Sequence, residues 1–332
     1  LKILILRTDR IGDVILSEPV IEVIASKFNN PKIDVALSEY SAPVLYGNPH
    51  ISNIYKLSSR GIKDAFNLAN ILKRNNYDLS ITIDTHPISY LIPYLSKVKV
   101  RIGQGRRLWG VFLNYPVSFS RRHSNLHEVV LNQMLLKQFG HKPELKRPEL
   151  YISQDEVVMV IDSIKKLGYE EGRPIIIIHP GSLGSSAHPP LKIYKKLSET
   201  VSRYGQVVIV GRREFDNLDG FRDIENILVI DDIDIREYMA LISQAVLFIG
   251  GDTGPMHIAS AFNIPVIALF SPIRGCGPER WGPLSDKYII YKPDIEECNG
   301  KCDRCKYYNC MEKIDAFDII SGVMSLVRFK EV

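Results

Sequence analysis

No stretch of this chain approaches the ~18 consecutive apolar residues that a membrane-spanning helix needs. A helical membrane protein is therefore excluded from the expected classes. The chain also lacks a GxGxxG loop and a GxxxxGK[ST] loop, so neither NAD nor P-loop ATP chemistry has support. Low-complexity segments and short repeats are absent as well. What remains is an ordinary globular composition, 45% hydrophobic and 24% charged over 332 residues. That is enough for a sizeable core and fits two domains. The sequence opens on the strand-like run Lys2 to Leu6, and a cytoplasmic protein with no signal peptide is expected.

Charge is scarce in neither half, but it is unevenly signed. Residues 1–150 hold 21 Lys and Arg against 12 Asp and Glu, a balance of +9. Residues 151–332 hold 21 against 26, a balance of −5. A basic first half suits an anionic partner, or merely a solvated basic surface. Its richest stretch, residues 101–130, carries Arg101, Arg106, Arg107, Arg121, Arg122 and His123 among aromatics. Nucleic acid is one reading of that mixture. An acceptor bearing phosphates or carboxylates is another, because the Arg fork suits both. No established nucleic-acid motif accompanies it, and no nucleic-acid partner is expected.

Apolar strand-like runs alternate with helix-like segments, and the alternation occurs twice. Strands are expected at 2–6, 32–37, 79–84 and 98–102, with helices at 14–28, 62–75 and 127–139. The second series has strands at 174–179, 206–210, 227–230, 246–249 and 265–269, with helices near 190–203, 235–243 and 255–262. This is the pattern of parallel sheets covered by helices on both faces. The expected fold class is α/β, with two Rossmann-like doubly wound domains facing a cleft, at 1–155 and 156–314. A C-terminal amphipathic helix in 315–332 is expected to pack back toward the N-terminal domain.

Chemistry concentrates in the turns that follow strands. The first, Arg7 to Asp13, sits where a first βα turn would face a ligand. Asp13 there is either the N-cap of a helix starting at Val14 or a carboxylate poised as general base. After the strand at 174–179 comes His179-Pro180-Gly181 and a Gly/Ser loop. Its Ser182, Ser185 and Ser186 can donate to phosphate oxygens near a helix start, unless the loop is plain connection. Arg212 follows the next strand. The run Gly250-Gly251-Asp252-Thr253-Gly254-Pro255-Met256-His257 begins another helix, with Thr253 as its cap and Pro255 early, where a missing N–H costs nothing. Capping explains neither Asp252 nor His257.

Two further groups have blander readings. Asp231-Asp232-Ile233-Asp234 contains an Asp-x-Asp, but three acids before a helix are favoured by its dipole and need no metal. Cys298, Cys302, Cys305 and Cys310 crowd into 13 residues. They are read either as a structural thiolate site for zinc or iron or as reduced thiols, and in neither case as catalytic.

Together these segments resemble the ADP-heptose:lipopolysaccharide heptosyltransferases, glycosyltransferase family 9. The resemblance rests on KILILRTDRIGDVILSEPV at the start, RIG at 101–103, His127-Glu128-Val129 and HPGS at 179–182. It continues through GGDTGPMHIASAFNIPVIALFSP and RWGP at 280–283. It implies a GT-B glycosyltransferase that moves heptose from ADP-heptose to a lipopolysaccharide inner-core acceptor by inverting displacement. No catalytic cofactor or metal is implied, and the place of work is the cytoplasmic face of the inner membrane. Asp13 becomes the general base. Asp252, Thr253, Gly254 and His257, with Ser182, Ser185, Ser186 and Arg212, become donor-binding residues. Arg10, Arg101, Arg106, Arg107 and Arg121 become candidates for the anionic acceptor. One departure stands out: where the family carries a phosphate-contacting Lys before a Trp-Pro, this chain has Ala187 or His188. Another nucleotide sugar, or a non-catalytic sugar-nucleotide or glycan-binding protein, is the alternative.

Overall fold

The computed structural model describes residues 1–121, 124–181, 187–211, 218–273, 275–295, 298 and 309–327. The chain divides between Tyr151 and Ile152 into two units, a few residues before the boundary expected at 155/156.

The first unit runs β1 (Lys2–Arg7), α1 (Ile11–Ile15), α2 (Glu18–Lys27), β2 (Lys32–Ser38), β3 (Ile51–Leu57), α3 (Ile62–Lys73), β4 (Leu79–Thr82), α4 (Pro87–Leu95), β5 (Val100–Gln104), β6 (Tyr115–Val117) and α5 (Glu128–Gln133). Its six strands are all parallel, in the order β3-β2-β1-β4-β5-β6. The second unit runs α6 (Gln154–Lys166), β7 (Ile175–His179), α7 (Leu191–Val201), β8 (Gln206–Val210), β9 (Ile227–Ile230), α8 (Ile235–Ser243), β10 (Ala245–Gly251), α9 (Gly254–Ala261), β11 (Val266–Leu269), α10 (Pro278–Trp281), β12 (Tyr288–Tyr291) and α11 (Ala316–Leu326). Its sheet reads β12-β11-β10-β7-β8-β9, the same winding repeated. Each unit is thus a doubly wound Rossmann-like domain, as expected from the alternation.

The central strands explain the ease of that reading. Ile3 to Leu6, Ile176 to Ile178 and Leu247 to Ile249 are buried, as parallel strands covered on both faces must be. Each such side chain contributes roughly 1.5–3 kcal/mol on burial. The strands that sequence periodicity misses, β3, β6 and β12, all lie on sheet edges. There one face meets solvent and no continuous apolar run is required. The helix expected at 14–28 is two helices: Pro19, near the start of α2, has no N–H to continue the ladder, and the chain resets at Ser17. α4 was hidden by its own Pro87 and Pro93.

The C-terminal helix is part of the second unit's packing. α11 packs on α7, β11 and β12, and its Ile319 and Val323 belong to the second unit's core. Phe317 and Met324 on the same helix stay exposed.

In a doubly wound sheet, ligands bind beyond the carboxyl ends of the strands where the winding reverses. That point lies between β1 and β4 in the first unit and between β7 and β10 in the second.

Candidate functional site

At the reversal point of the first unit, two guanidiniums and four carboxyl groups meet. Arg7, the last residue of β1, is buried. Its guanidinium donates to Asp13 Oδ1 at 2.5 Å, lies 3.3 Å from Asp9 and 3.5 Å from Glu128. Burial works against the charge on Arg7, but the surrounding carboxylates of Asp13, Asp9, Glu128 and Asp84 outweigh it and raise its pKa. A second guanidinium, Arg121, pairs with Glu128 and donates to the Ile83 carbonyl at 3.1 Å. Asn132, one turn beyond Glu128 on α5, accepts from Arg121 at 3.1 Å and donates to the Leu16 carbonyl at 2.9 Å. It fastens α5 to the end of α1.

The carboxylates differ in what they can do. Asp84 is buried and receives the Thr8 N–H at 2.7 Å, the Ser89 hydroxyl at 2.8 Å and the His86 N–H at 3.0 Å. It is committed to holding the turns after β1 and β4. Glu128 is buried between two guanidiniums. Asp9 is gripped by Arg60 and Arg7. Asp13 is anchored through one oxygen, and its side chain keeps 22% of its surface exposed. Burial first, then the neighbouring Asp9 and Glu128 charges, push its carboxyl upward against the pull of Arg7. A partly exposed, fixed carboxylate with a raised proton affinity is the arrangement a general base requires.

Asp13 does not cap a helix. α1 begins at Ile11 with Arg10 as its N-cap, so Asp13 lies inside the first turn and its side chain is available to Arg7. The expected acceptor residues separate. Arg10 is exposed next to this turn, and Arg121 stands inside the network. Arg101 is not brought to the site: it sits at the amino end of β5, donating to the Val98 and Phe112 carbonyls at 2.7 Å. Arg106 and Arg107 are exposed just beyond β5. Sequence reading singled out neither Arg7 nor Asn132 as a site residue. The available signal was only that Arg7 closes a buried strand, where a cation needs buried partners.

At the reversal point of the second unit the surroundings are sparse. Gly250 and Gly251 end β10, and a Cβ at Gly250 would lie 3.1 Å from the His179 carbonyl and 2.9 Å from the Phe248 ring. Thr253 occupies the N-cap position of α9, as expected, but its hydroxyl donates to the Gly251 carbonyl at 3.4 Å instead of capping. Asp252 Oδ1 stands 3.8 Å from His257 Nε2. His257 is buried in the first turn of α9, with the Trp281 ring edge-on at 6.5 Å. Trp281 is held by donating its indole N–H to the Gly275 carbonyl at 3.0 Å and by the Arg280 guanidinium over its face. His179, at the end of β7, faces the Val210 carbonyl at 2.8 Å and the Tyr238 hydroxyl at 3.2 Å. At the end of β11, Ser271 is buried with no hydrogen-bond partner for its hydroxyl among the described residues. The result is a turn of small residues and a helix start, suited to an anion held by backbone N–H groups.

The expected Ser182, Ser185, Ser186 and Arg212 lie outside the described residues, as do Cys302 and Cys305. Cys276 and Cys298 form no disulfide. Among the described residues no three His, Cys, Asp or Glu side chains gather as metal ligands. Of the Asp-x-Asp, Asp234 caps α8 by accepting the Arg236 N–H at 2.7 Å, and the preceding Asp231 pairs with Arg222. That is the structural use anticipated for it.

Two Rossmann-like units in tandem are the architecture of the GT-B glycosyltransferases. The whole chain has the fold of a glycosyltransferase family 9 protein from Veillonella parvula, with TM-score 0.84 and 18% identity, covering 98% of this chain and 96% of that one. It is similarly related to the Escherichia coli ADP-heptose LPS heptosyltransferase II, with TM-score 0.79, 20% identity and 98% coverage of both chains. The family model of glycosyltransferase family 9 (heptosyltransferase) matches residues 65–311, and the chain belongs to that family. Among relatives, lipopolysaccharide heptosyltransferase 3 of Escherichia coli (strain K12) is 27% identical over 95% of each chain.

Proposed function

We propose that this enzyme transfers heptose from ADP-heptose to the inner core of lipopolysaccharide by inverting displacement, working at a membrane surface. The observation that carries the reading is Asp13, fixed by Arg7 at 2.5 Å while part of its carboxylate stays exposed. The acceptor hydroxyl gives its proton to Asp13 as its oxygen attacks the anomeric carbon. The bond from that carbon to the diphosphate oxygen breaks, and ADP departs with the electron pair. Arg10 and Arg121 supply positive charge for an acceptor rich in phosphate and acidic sugar.

The second unit takes the nucleotide sugar. The leaving diphosphate grows more negative as the bond breaks, so the first turn of α9, the Thr253 hydroxyl, Gly254 and the His257 imidazole are suited to stabilise it. Asp252 would repel a phosphate and instead grips sugar hydroxyls, while standing close enough to orient His257. Ser182, Ser185, Ser186 and Arg212 complete the donor contacts in this reading.

Calorimetric titration with ADP, UDP, GDP and NAD tests the donor assignment. Binding of ADP above the others, lost in Asp252→Ala/Thr253→Ala/His257→Ala, supports it. A preference for UDP or GDP moves the donor to another nucleotide sugar. No binding of any nucleotide contradicts the reading.

A further inference from the structure

Between Asp84 and Glu128 the chain carries seven Lys and Arg and not one Asp or Glu. Within this stretch, the connection from β5 to β6 forms a single 3₁₀ turn, Leu108 to Phe112, with Arg107 as its N-cap. Three residues per turn place side chains at i and i+3 one above the other. Those two positions are Leu108 and Val111, 84% and 80% exposed, the most exposed large apolar side chains in the described structure. Trp109 is partly exposed beside them, and Arg106 and Arg107 are exposed just before. The turn is braced from below. Leu113 is buried, lying 3.2 Å from where a Cβ on Gly103 would stand. Phe112 packs on Tyr94 at 5.2 Å, and its carbonyl takes the Arg101 guanidinium. The apolar pair is therefore held outward, with no core left for it to join.

We propose that this turn docks the enzyme on an anionic lipid bilayer, with Leu108 and Val111 entering the acyl boundary, Trp109 at headgroup level, and Arg106 and Arg107 on lipid phosphates. A short apolar tip flanked by an indole and cations has the composition of an interfacial anchor. A second copy of the chain fits less well. Two aliphatic side chains and an indole cover far less than the roughly 800 Å² per partner of a stable interface. A two-fold contact would also set the Arg106–Arg107 pair of one copy near its own symmetry mate. The inference rests on the reading of the acceptor as lipid-borne. The connection leaves β5 at its carboxyl end, the sheet end at which Asp9, Asp13 and Asp84 also lie. Docking there brings a membrane-anchored sugar to the side of the unit that holds Asp13.

The experiment is flotation of the full chain with phosphatidylcholine vesicles, with and without phosphatidylglycerol, at low and raised salt. The wild-type chain is expected to float with the anionic vesicles and to be released by salt. Leu108→Ser/Val111→Ser and Arg106→Gln/Arg107→Gln are each expected to lower the bound fraction by about tenfold or more. In Leu108→Ser/Val111→Ser the melting temperature, the ADP titration and the sedimentation coefficient should match wild type. Failure of the wild-type chain to float overturns the proposal, as does wild-type flotation by both variants. A sedimentation coefficient that falls in Leu108→Ser/Val111→Ser also overturns it, in favour of a second copy. Should that variant melt early, Arg106→Gln/Arg107→Gln carries the test alone. Flotation without ADP binding would contradict the donor assignment and leave the docking surface standing.

Discussion

The two units share one winding but treat charge in opposite ways. At its reversal point the first unit buries Arg7 and Glu128 and keeps Asp13 and Arg121 at the edge of that cluster. At the equivalent point the second unit offers two glycines, a threonine and one buried imidazole beside a single carboxylate. A buried cluster of ion pairs is an unpromising source of stability, because desolvation offsets most of the attraction. Its use is to hold a carboxylate in one position and with a raised proton affinity. The second arrangement fixes no proton; small residues let a ligand approach the backbone. In the proposed reading the same winding serves proton transfer in the first unit and anion binding in the second, and the sequence of each βα turn decides which.

That contrast breaks most visibly at Asp13. Asp13→Asn is expected to lower kcat by about 10²–10⁴-fold, followed as ADP released from ADP-heptose in the presence of acceptor. Because burial and the neighbouring acids push this carboxyl upward, the acid limb of the wild-type rate profile should lie above the usual ~3.9 of an aspartate. Removing the cation beneath it is the next largest effect. Arg7→Met leaves Glu128 and Asp13 short of a partner and should destabilise the first unit by roughly 3–5 kcal/mol, read from denaturant midpoints, while Arg7→Lys recovers part of the loss.

A third test asks whether buried charge governs the pH dependence of stability. Glu18 is buried, receiving the Asn48 amide at 3.1 Å and the Glu149 N–H at 3.0 Å, and burial pushes its carboxyl up to about 7. A carboxyl with a raised pKa in the folded state adds stability below its unfolded value and loses it as pH rises through the folded one. The loss should be on the order of 3 kcal/mol between about pH 4.5 and 7, and Glu18→Gln should flatten that slope in thermal melts. The smallest effect belongs to the sparse end. His257→Ala removes one side-chain contact to the diphosphate in the proposed reading, and should weaken ADP binding by about tenfold.

Legibility in the sequence followed burial. β1, β7 and β10 announce themselves because both faces of a central parallel strand are apolar. β3, β6 and β12 do not, because an edge strand buries only part of its surface. The turn Asp252 to His257 is contiguous, so local residue types point to it directly. The network around Asp13 is assembled from Arg7 on β1 and Asn132 on α5, 125 positions apart, and no spacing rule links them. Asp13 could be found, but whether it capped a helix or faced a guanidinium depended on α1 starting at Ile11. Arg101 shows the converse failure: a cation in a basic stretch looks like a ligand contact until two backbone carbonyls claim it.

The central claim is that proton transfer belongs to the first unit and nucleotide binding to the second. The direct test is to measure ADP affinity by calorimetry and turnover in parallel for Asp13→Asn and His257→Ala. The account predicts that Asp13→Asn binds ADP as wild type does but turns over at least about a hundredfold more slowly. His257→Ala should bind ADP more weakly and, because its imidazole faces the charge that grows on the leaving diphosphate, should also lose part of its rate at saturating donor. Near wild-type turnover in Asp13→Asn, or ADP affinity that follows Asp13 and ignores His257, would contradict it.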